Sequence, residues 1–240
     1  MDNNEIDRAL HGYYEQRAPE YDEWYDRRGR YNNPVTNAAW YSEVGDLTRN
    51  VTRLAATVSH NTQARILDLA CGTGKWTPIF GQALPETGRV IAFDYSAAML
   101  AQTQARLTEN EQNSALEARI RFVRGDAYAL PFKNGAFDIV FFGFWLSHVP
   151  RERMGEFLTE VKRVLKPAGQ VFMVDSAQEL NVPNEEISKR PLNDGSIHQI
   201  LKVRYSVPEL QALLERYFGP GQASATQTRR YFVIGVASKQ

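Results

Sequence analysis

The sequence predicts an α/β fold in which a doubly wound parallel sheet is covered by helices on both faces. From residue 64 onward, short apolar segments alternate with longer amphipathic segments, as in sheets whose strands are joined by crossover helices. The short segments are almost continuously apolar, which is typical of strands buried on both faces. The predicted strands are Arg65–Leu69, Val90–Phe93, Ile120–Val123, Ile139–Phe142 and Val171–Val174, and the predicted helices lie near 75–83, 96–110 and 151–165.

The alternation ends after Asp175. A polar segment from Gln178 to Asp194 precedes two further predicted strands, Ile200–Tyr205 and Tyr231–Ala237, with a helix near 207–217 between them. The last strand follows a short connection, so we expect it to be antiparallel.

The residues before the first strand contain no strand-like segment. They place aromatic residues in a polar, charged background, which indicates helices with apolar faces. So many aromatic side chains need a buried surface, and the open ends of the sheet strands provide one. We therefore expect an N-terminal helical lid or extension over 1–60 and an α/β domain over 61–240.

Composition and charge exclude several classes of protein. The 28 basic residues balance the 28 acidic ones, so no global field attracts nucleic acid or anionic lipid. A single cysteine, Cys71, excludes an internal disulfide framework and a cysteine-cluster metal site. The N-terminus has no basic leader or apolar segment, and no stretch approaches the ~20 apolar residues of a membrane span. We expect a soluble, cytoplasmic protein that binds no metal, membrane or nucleic acid; the oligomeric state stays open.

A turn of small residues follows the first predicted strand. Gly72 and Gly74 remove side chains that would keep a ligand away from the backbone. Thr77 stands where a dinucleotide-binding turn has its third glycine, so a pyrophosphate site is disfavoured. Asp68, at the end of the strand, either orients the turn through backbone N–H groups or contacts the ligand.

Carboxylates follow the next two predicted strands. Asp94 ends the second strand, where an acid can accept hydrogen bonds from both hydroxyls of a ribose. Asp126 follows the third strand, where it can bind the amino group of an adenine. Met99, one turn into the next helix, either covers the adenine face or fills the core. Three neighbouring strand ends thus provide a glycine turn and two acids for one nucleoside.

These motifs resemble those of class I S-adenosylmethionine-dependent methyltransferases. The first motif is Asp68–Gly74 and the second is Phe93-Asp94. The resemblance implies a Rossmann-like methyltransferase domain with seven strands in the order 3-2-1-4-5-7-6, strand 7 being antiparallel. It also implies S-adenosyl-L-methionine as cofactor, lying across the ends of strands 1, 2 and 4. Ala70 departs from the pattern, because many members have glycine there.

A closer resemblance, to a bacterial group of small-molecule-type methyltransferases, covers nearly the whole chain. It rests on Tyr13–Asp22, Phe141–Pro150 and Val174–Ser176, with Asp194-Gly195 and Leu201–Val203 also matching. In such relatives the first of these segments belongs to a lid, so Arg17 either pairs with the methionine carboxylate of the cofactor or forms a surface salt bridge. Cys71 is expected to be a small buried group rather than a nucleophile. The expected cofactor-binding residues are Tyr14, Arg17, Tyr21, Asp68, Ala70, Cys71, Gly72, Gly74, Asp94, Tyr95, Ser96, Met99, Gly125, Asp126, Ala127, Gly143 and Phe144.

His148 is the candidate catalytic residue. It follows the fourth strand and precedes the helix that begins near Pro150, which places it where the methyl acceptor must bind. A neutral imidazole can accept a proton from the acceptor as the methyl group arrives, although a bond to the backbone or binding of the acceptor are alternatives. His60 and His198 are expected on the surface. The expected acceptor-binding residues are Trp24, Trp40, Trp145, His148 and Asp175, of which Asp175 alternatively caps the next turn.

The resulting hypothesis is a methyltransferase that acts on an oxygen or nitrogen atom of a small molecule. The alternative is a non-catalytic S-adenosylmethionine-binding regulatory or partner protein that retains the fold, which the intact glycine turn disfavours. A macromolecular substrate is also disfavoured, because Phe142–Trp145 stands where base-amino methyltransferases carry Asn-Pro-Pro-Tyr.

Overall fold

The computed structural model describes residues 2–108, 116–179 and 181–240. A seven-stranded sheet with the order β3-β2-β1-β4-β5-β9-β8 forms its centre, and only β9 runs antiparallel to its neighbours. Counted within this sheet, the order is 3-2-1-4-5-7-6, so the predicted architecture is confirmed. The strands are β1 (Arg65–Leu69), β2 (Arg89–Asp94), β3 (Ile120–Arg124), β4 (Phe137–Gly143), β5 (Leu165–Ser176), β6 (Glu185–Pro191), β7 (Ile197–Val203), β8 (Ala223–Gln227) and β9 (Phe232–Ser238).

Six α-helices are present in the described part of the chain. α1 and α6 each begin with a capping box, formed by Asp2 with Glu5 and by Ser206 with Glu209. The predicted helix near 96–110 is α4, and residues 109–110 lie outside the described residues. Across the described ranges, every helix is too short or too polar to cross a membrane. The helices are α1 (Asn3–Arg17), α2 (Asn37–Ala56), α3 (Thr77–Ala83), α4 (Ala97–Thr108), α5 (Met154–Val164) and α6 (Val207–Phe218).

The core lies on both faces of the sheet. Successive residues of β4 alternate between the faces, so Val140 and Phe142 pack in one cluster and Ile139 and Phe141 in the other. The first cluster contains the apolar faces of α5 and α6, and the second contains those of α2 and α3. Burial on both faces explains why these strands are continuously apolar and hence predictable.

The segment after β5 differs from the prediction. β6 and β7 pair with each other as a separate antiparallel hairpin, so the predicted strand Ile200–Tyr205 does not belong to the central sheet. The sheet instead contains β8, which was not predicted because it is a polar edge strand with Ala225 as its one buried residue. His198 lies partly exposed on β7, in a strand of the hairpin.

Residues 2–31 and α2 pack in different places. α1 lies against β7 and α4, and the 3₁₀ segment Ala18–Glu23 also lies against α4. Asp22 in this segment accepts a hydrogen bond from Thr73 Oγ1 at 2.6 Å and forms an ion pair with Arg106. α2 instead packs on α3 and contributes to the core of one sheet face. Residues 2–31 therefore lie at the carboxyl ends of the strands, whereas α2 lies beside the sheet.

Candidate functional site

A first cavity, of about 660 Å³, lies at the carboxyl ends of β1, β2 and β4. Parallel strands all end at this edge, so the turns that follow them meet there. Residues of α1 and of the segment after it form the opposite wall. The lining consists of Leu10, His11, Tyr14, Tyr21, Ala70, Gly72, Phe93, Asp94, Tyr95, Ser96, Met99, Gly125, Asp126, Ala127, Gly143, Phe144 and Trp145.

Asp94 is held in place by backbone N–H groups. Its Oδ2 accepts a hydrogen bond from Gly72 N and its Oδ1 accepts one from Ser96 N, both at 2.9 Å. Burial raises the pKa of Asp94 to about 6, although these backbone bonds act in the opposite direction. Each carboxylate oxygen can accept a second hydrogen bond, so Asp94 remains available to donors in the cavity.

A smaller cavity of about 270 Å³ continues from the first beneath the glycine turn. Asp68 lines it, and its Oδ2 accepts a hydrogen bond from Thr77 Oγ1 at 2.6 Å. Burial raises the pKa of Asp68 to about 7. Cys71 and Lys75 also line this cavity. Burial raises the pKa of the Cys71 thiol well above its ordinary value, which keeps the thiol protonated.

The two motif glycines have different roles. Gly72 lines the cavity, and a Cβ placed there would meet only Tyr21, at 3.9 Å. A Cβ on Gly74 would lie 2.5 Å from Cγ2 of Thr103, and its φ is +74°. Gly74 therefore allows α4 to pack against the turn, and it lines neither the first cavity nor its extension. The close packing against Thr103 is therefore sufficient to require glycine at position 74, and contact between Gly74 and the cofactor stays a prediction.

His11 and Tyr95 enclose one end of the first cavity. Their rings stack with centroids 3.3 Å apart and an interplanar angle of 7°. Met99 is buried and lines the same cavity, and Asp126 stands exposed two residues after β3 with Oδ1 accepting from Tyr128 N at 2.9 Å. His11 was left unassigned from the sequence, since its approach to Tyr95 depends on how α1 packs.

A second cavity, of about 800 Å³, lies between α1 and the β6–β7 hairpin. It shares Tyr14, Tyr21 and Phe144 with the first cavity, so these three side chains stand where the two meet. Phe144 adopts a φ of 59°, a left-handed conformation that costs energy in a residue other than glycine. The lining consists of Tyr14, Arg17, Tyr21, Trp24, Tyr31, Phe144, His148, Ser176, Glu179, Arg190, Ile200, Lys202 and Arg204.

His148 is a buried member of the second cavity. Its Nδ1 lies 2.8 Å from the Leu201 carbonyl oxygen, which can only accept, so Nδ1 carries the proton. Its Nε2 then accepts a hydrogen bond from the Tyr14 hydroxyl at 2.8 Å. Burial, followed by the charge of Lys202, lowers the pKa of His148 well below its ordinary value. The imidazole is therefore neutral, with its free lone pair directed to Tyr14.

Arg17 lines the second cavity rather than the first. Its side chain is buried, which excludes the expected surface salt bridge. Nη1 donates to Tyr13 Oη at 2.5 Å and Nη2 donates to Tyr31 Oη at 3.3 Å.

Two expected acceptor-binding residues lie outside both cavities. Asp175 is buried behind the second cavity, where it accepts from Ser147 N at 2.9 Å and pairs with Lys202 at 3.2 Å. Trp40 is a core residue of α2 whose Nε1 donates to the Tyr25 carbonyl at 3.1 Å. Both side chains have hydrogen-bond partners within the protein, and their expected contact with an acceptor stays a prediction. Trp24 lines the second cavity and Trp145 lines the first.

The basic residues of the hairpin, Arg190, Lys202 and Arg204, were missed from the sequence. Arg190 lies in the polar segment Gln178–Asp194, for which no strand was predicted. The sequence did contain evidence for this hairpin, because Asp194-Gly195 is a favoured hairpin turn between two segments of similar length. Gly195 has a φ of +87°, as such a turn requires.

Residues 66–169 match a family model described as a methyltransferase domain. Demethylmenaquinone methyltransferase of Lactiplantibacillus plantarum is 33% identical over 177 residues, which are 71% of this chain and 65% of that relative. Demethylmenaquinone methyltransferase of Lactococcus lactis is 39% identical over 119 residues, 48% of this chain and 43% of the relative. The chain thus spans less than two thirds of the length of these curated relatives.

Two solved structures match nearly the whole chain. One, described as a DhpI–SAM–HEP complex, is 26% identical with a TM-score of 0.70, covering 98% of this chain and 99% of that one. Another, described as a DhpI–SAH complex, is 25% identical with a TM-score of 0.69, covering 98% and 97%. Their coverage includes α1 and the hairpin, and not only the central sheet.

Proposed function

We propose that this chain, which belongs to the class I S-adenosylmethionine-dependent methyltransferases, transfers a methyl group from S-adenosylmethionine to an oxygen or nitrogen atom of a small molecule. In this proposal the first cavity binds the cofactor and the second binds the acceptor. One observation supports it above others: the two cavities meet at Tyr14, Tyr21 and Phe144.

The residues of the first cavity fit this cofactor. Asp94 presents a fixed carboxylate for two ribose hydroxyls, and Gly72 leaves the backbone of the turn uncovered. Met99, Asp126 and the backbone around Ala127 surround the space for an adenine. Asp68 in the smaller cavity offers a carboxylate toward a ligand ammonium group. The presence of an acid, an open turn and an apolar base site in one cavity supports the assignment.

In this proposal the residues of this chain bind the cofactor and the acceptor, orient them and exclude water. When bound, the cofactor supplies an activated methyl group on a sulfonium. Tyr14 and His148 form a proton path: the Tyr14 hydroxyl can receive a proton from an acceptor while passing its own to Nε2 of His148. Burial raises the pKa of Tyr14 well above its ordinary value, which keeps its hydroxyl protonated between turnovers.

The N-terminal residues act as the lid in this proposal. The part that covers the cavities is residues 2–31, whereas α2 belongs to the core beside the sheet. Asp22 holds this lid against the cofactor turn through Thr73 and Arg106. Such a cover excludes water from the reacting groups.

The test combines binding with a search for the acceptor. Calorimetry should show binding of S-adenosylmethionine and of its demethylated product, and none of a nicotinamide dinucleotide. A small-metabolite panel with labelled cofactor, which includes demethylmenaquinone because the curated relatives are named for it, is then read by mass spectrometry for a gain of one methyl group. Tight dinucleotide binding, or cofactor binding without transfer to any class of compound, contradicts the proposal.

A further inference from the structure

We infer that the second cavity binds a methyl acceptor that carries an anionic group, a carboxylate or phosphate-type oxyanion. This inference rests on the proposed function, because it assigns the substrate class of the same site. It is carried by the cationic side chains that face the cavity from both of its walls.

The second cavity is far more basic than the chain as a whole. The sequence has a formal net charge of +0, yet four cationic side chains line this cavity against one carboxylate, Glu179. Glu179 is exposed at the rim. The cations are Arg17, Arg190, Lys202 and Arg204.

Two of these cations already have partners in the protein. Lys202 Nζ lies 3.2 Å from Asp175 Oδ1, and Arg204 Nη2 lies 2.8 Å from Glu186 Oε1. For Arg17 and Arg190, the described residues place no carboxylate within ion-pair distance. Two guanidinium groups thus face the cavity without a protein counter-charge.

Arg17 is the more informative of the two because it is buried. Its side chain is 9% exposed, and its Nε has no hydrogen-bond partner. The groups around it are neutral phenols, with the guanidinium carbon 4.8 Å from the Tyr21 ring and 5.3 Å from the Tyr13 ring. A buried charge without a counter-charge is costly, so the arrangement favours an anion that enters the cavity.

The two unpaired guanidinium groups sit on opposite walls whose spacing is set by apolar packing. Leu10 and Tyr13 of α1 pack against Ile200 of β7 in one small cluster. Arg17 ends α1, and Arg190 stands on β6 opposite His198 of β7. An oxyanion between them can receive donors from both walls, and the planar fork of arginine suits two oxygens of one anionic group.

The neutral state of His148 agrees with this distribution of charge. Burial lowers its pKa first, and the charges of Lys202, Arg190 and Arg17 lower it further. The imidazole therefore adds no cation of its own, and the anionic group is bound by the guanidinium and ammonium groups.

The test uses inorganic phosphate and acetate as probes on the full chain saturated with S-adenosylhomocysteine. Each anion is titrated to about 50 mM, because such small ligands gain little binding energy, and binding is read by calorimetry and thermal unfolding. Binding of one probe and not the other assigns the phosphate or the carboxylate class. We expect Arg17→Gln and Arg190→Gln each to raise the half-saturating concentration about tenfold. The matched control Arg53→Gln, on the exposed face of α2, should behave as wild type.

Failure of the inference is separable from failure of the proposed function. If S-adenosylhomocysteine binds but neither anion does, or if both variants bind the anions as wild type does, the inference is overturned alone. If S-adenosylhomocysteine itself fails to bind, the proposed function is overturned. If Arg17→Gln does not fold, anion binding by Arg190→Gln alone tests the inference. We expect this variant to fold, because Arg190 is half-buried on the hairpin and outside the central sheet.

Discussion

The Tyr14 hydroxyl donates to Nε2 of His148 at 2.8 Å, a bond between two residues 134 positions apart in the sequence. It connects α1 to the segment after β4, and His148 Nδ1 extends the connection to the Leu201 carbonyl on β7. Tyr14 lines both cavities, whereas His148 lines only the second. The pair therefore reaches from one proposed ligand to the other.

For an acceptor whose reacting atom carries a proton, His148→Ala should lower kcat about 10²-fold while the dissociation constant of the cofactor stays near wild type. Tyr14→Phe should lower kcat to a similar extent, because it removes the hydroxyl that links the acceptor to His148. The double variant should be little worse than either single variant, since the two residues act as one unit. Losses that multiply in the double variant would show that Tyr14 and His148 act independently.

The raised pKa of Asp94 predicts that the affinity for the cofactor depends on pH. Its pKa is raised to about 6 by burial, and only the ionised carboxylate accepts from two ribose hydroxyls. The contribution of Asp94 to affinity should therefore increase as the pH rises through about 6, and ionisation of Asp68, whose pKa is raised to about 7, should add a separate increase at higher pH. Asp94→Asn should weaken binding by about 2 kcal/mol and remove the increase in affinity near pH 6.

The measurement for Asp94 is calorimetry with S-adenosylhomocysteine from about pH 5 to about pH 8, a range that spans the raised pKa. Asp126→Asn is the matched control, because Asp126 lines the same cavity but is exposed. This variant should retain the increase in affinity near pH 6. An affinity of the wild-type protein that does not change over this range contradicts the assignment.

Gly74→Ala should destabilise the fold by about 2 kcal/mol or more, through a Cβ too close to Thr103 and an unfavourable φ. Adding Thr103→Ser should restore part of the loss, because it removes Cγ2 and retains the hydroxyl that donates to the Gly72 carbonyl at 2.8 Å. Urea unfolding of the single and double variants measures both effects. Equal stability of the two variants would mean that the backbone conformation alone is responsible.

Ala70→Gly should stabilise the fold by about 1 kcal/mol, the energy that a left-handed conformation costs a residue with a side chain. Ala70 has a φ of 55° and replaces a glycine of the first motif. Ala92→Gly in the centre of β2 is the control and should destabilise, because it removes a buried methyl group from extended backbone. A lower unfolding temperature for Ala70→Gly would show that the methyl group contributes packing that outweighs the conformational cost.

The sheet and the first cavity were predictable from the sequence for a physical reason. Strands buried on both faces are continuously apolar, and the residues after parallel strands meet at one edge, so Gly72 and Asp94 were expected together. Arg17 was expected at the same ligand, but it faces the second cavity because α1 packs on the hairpin. The direction of a side chain at the end of a helix depends on distant contacts that spacing does not reveal.

The aromatic residues of the N-terminal region show a second limit of prediction from the sequence. Trp24 and Trp40 have the same driving force for burial, but one lines a cavity and the other fills the core. Apolar surface area predicts burial without specifying where a side chain is buried. β6 and β8 were missed because polar edge strands carry little of the apolar pattern that identifies a strand.

The chain leaves the central sheet after β5, and Ala177, at the start of the hairpin segment, forms a parallel β-bridge with Tyr205, at its end. The hairpin between them is thus an insertion whose ends lie side by side, as in insertions that host domains tolerate, and Leu201 and Val203 of β7 attach it to the core of the sheet. Transplanting another hairpin at this junction would change three of the basic residues around the second cavity and leave every strand pairing of the central sheet in place. In the proposed function, such an exchange would alter the acceptor site and leave the glycine turn and Asp94 of the cofactor site in place.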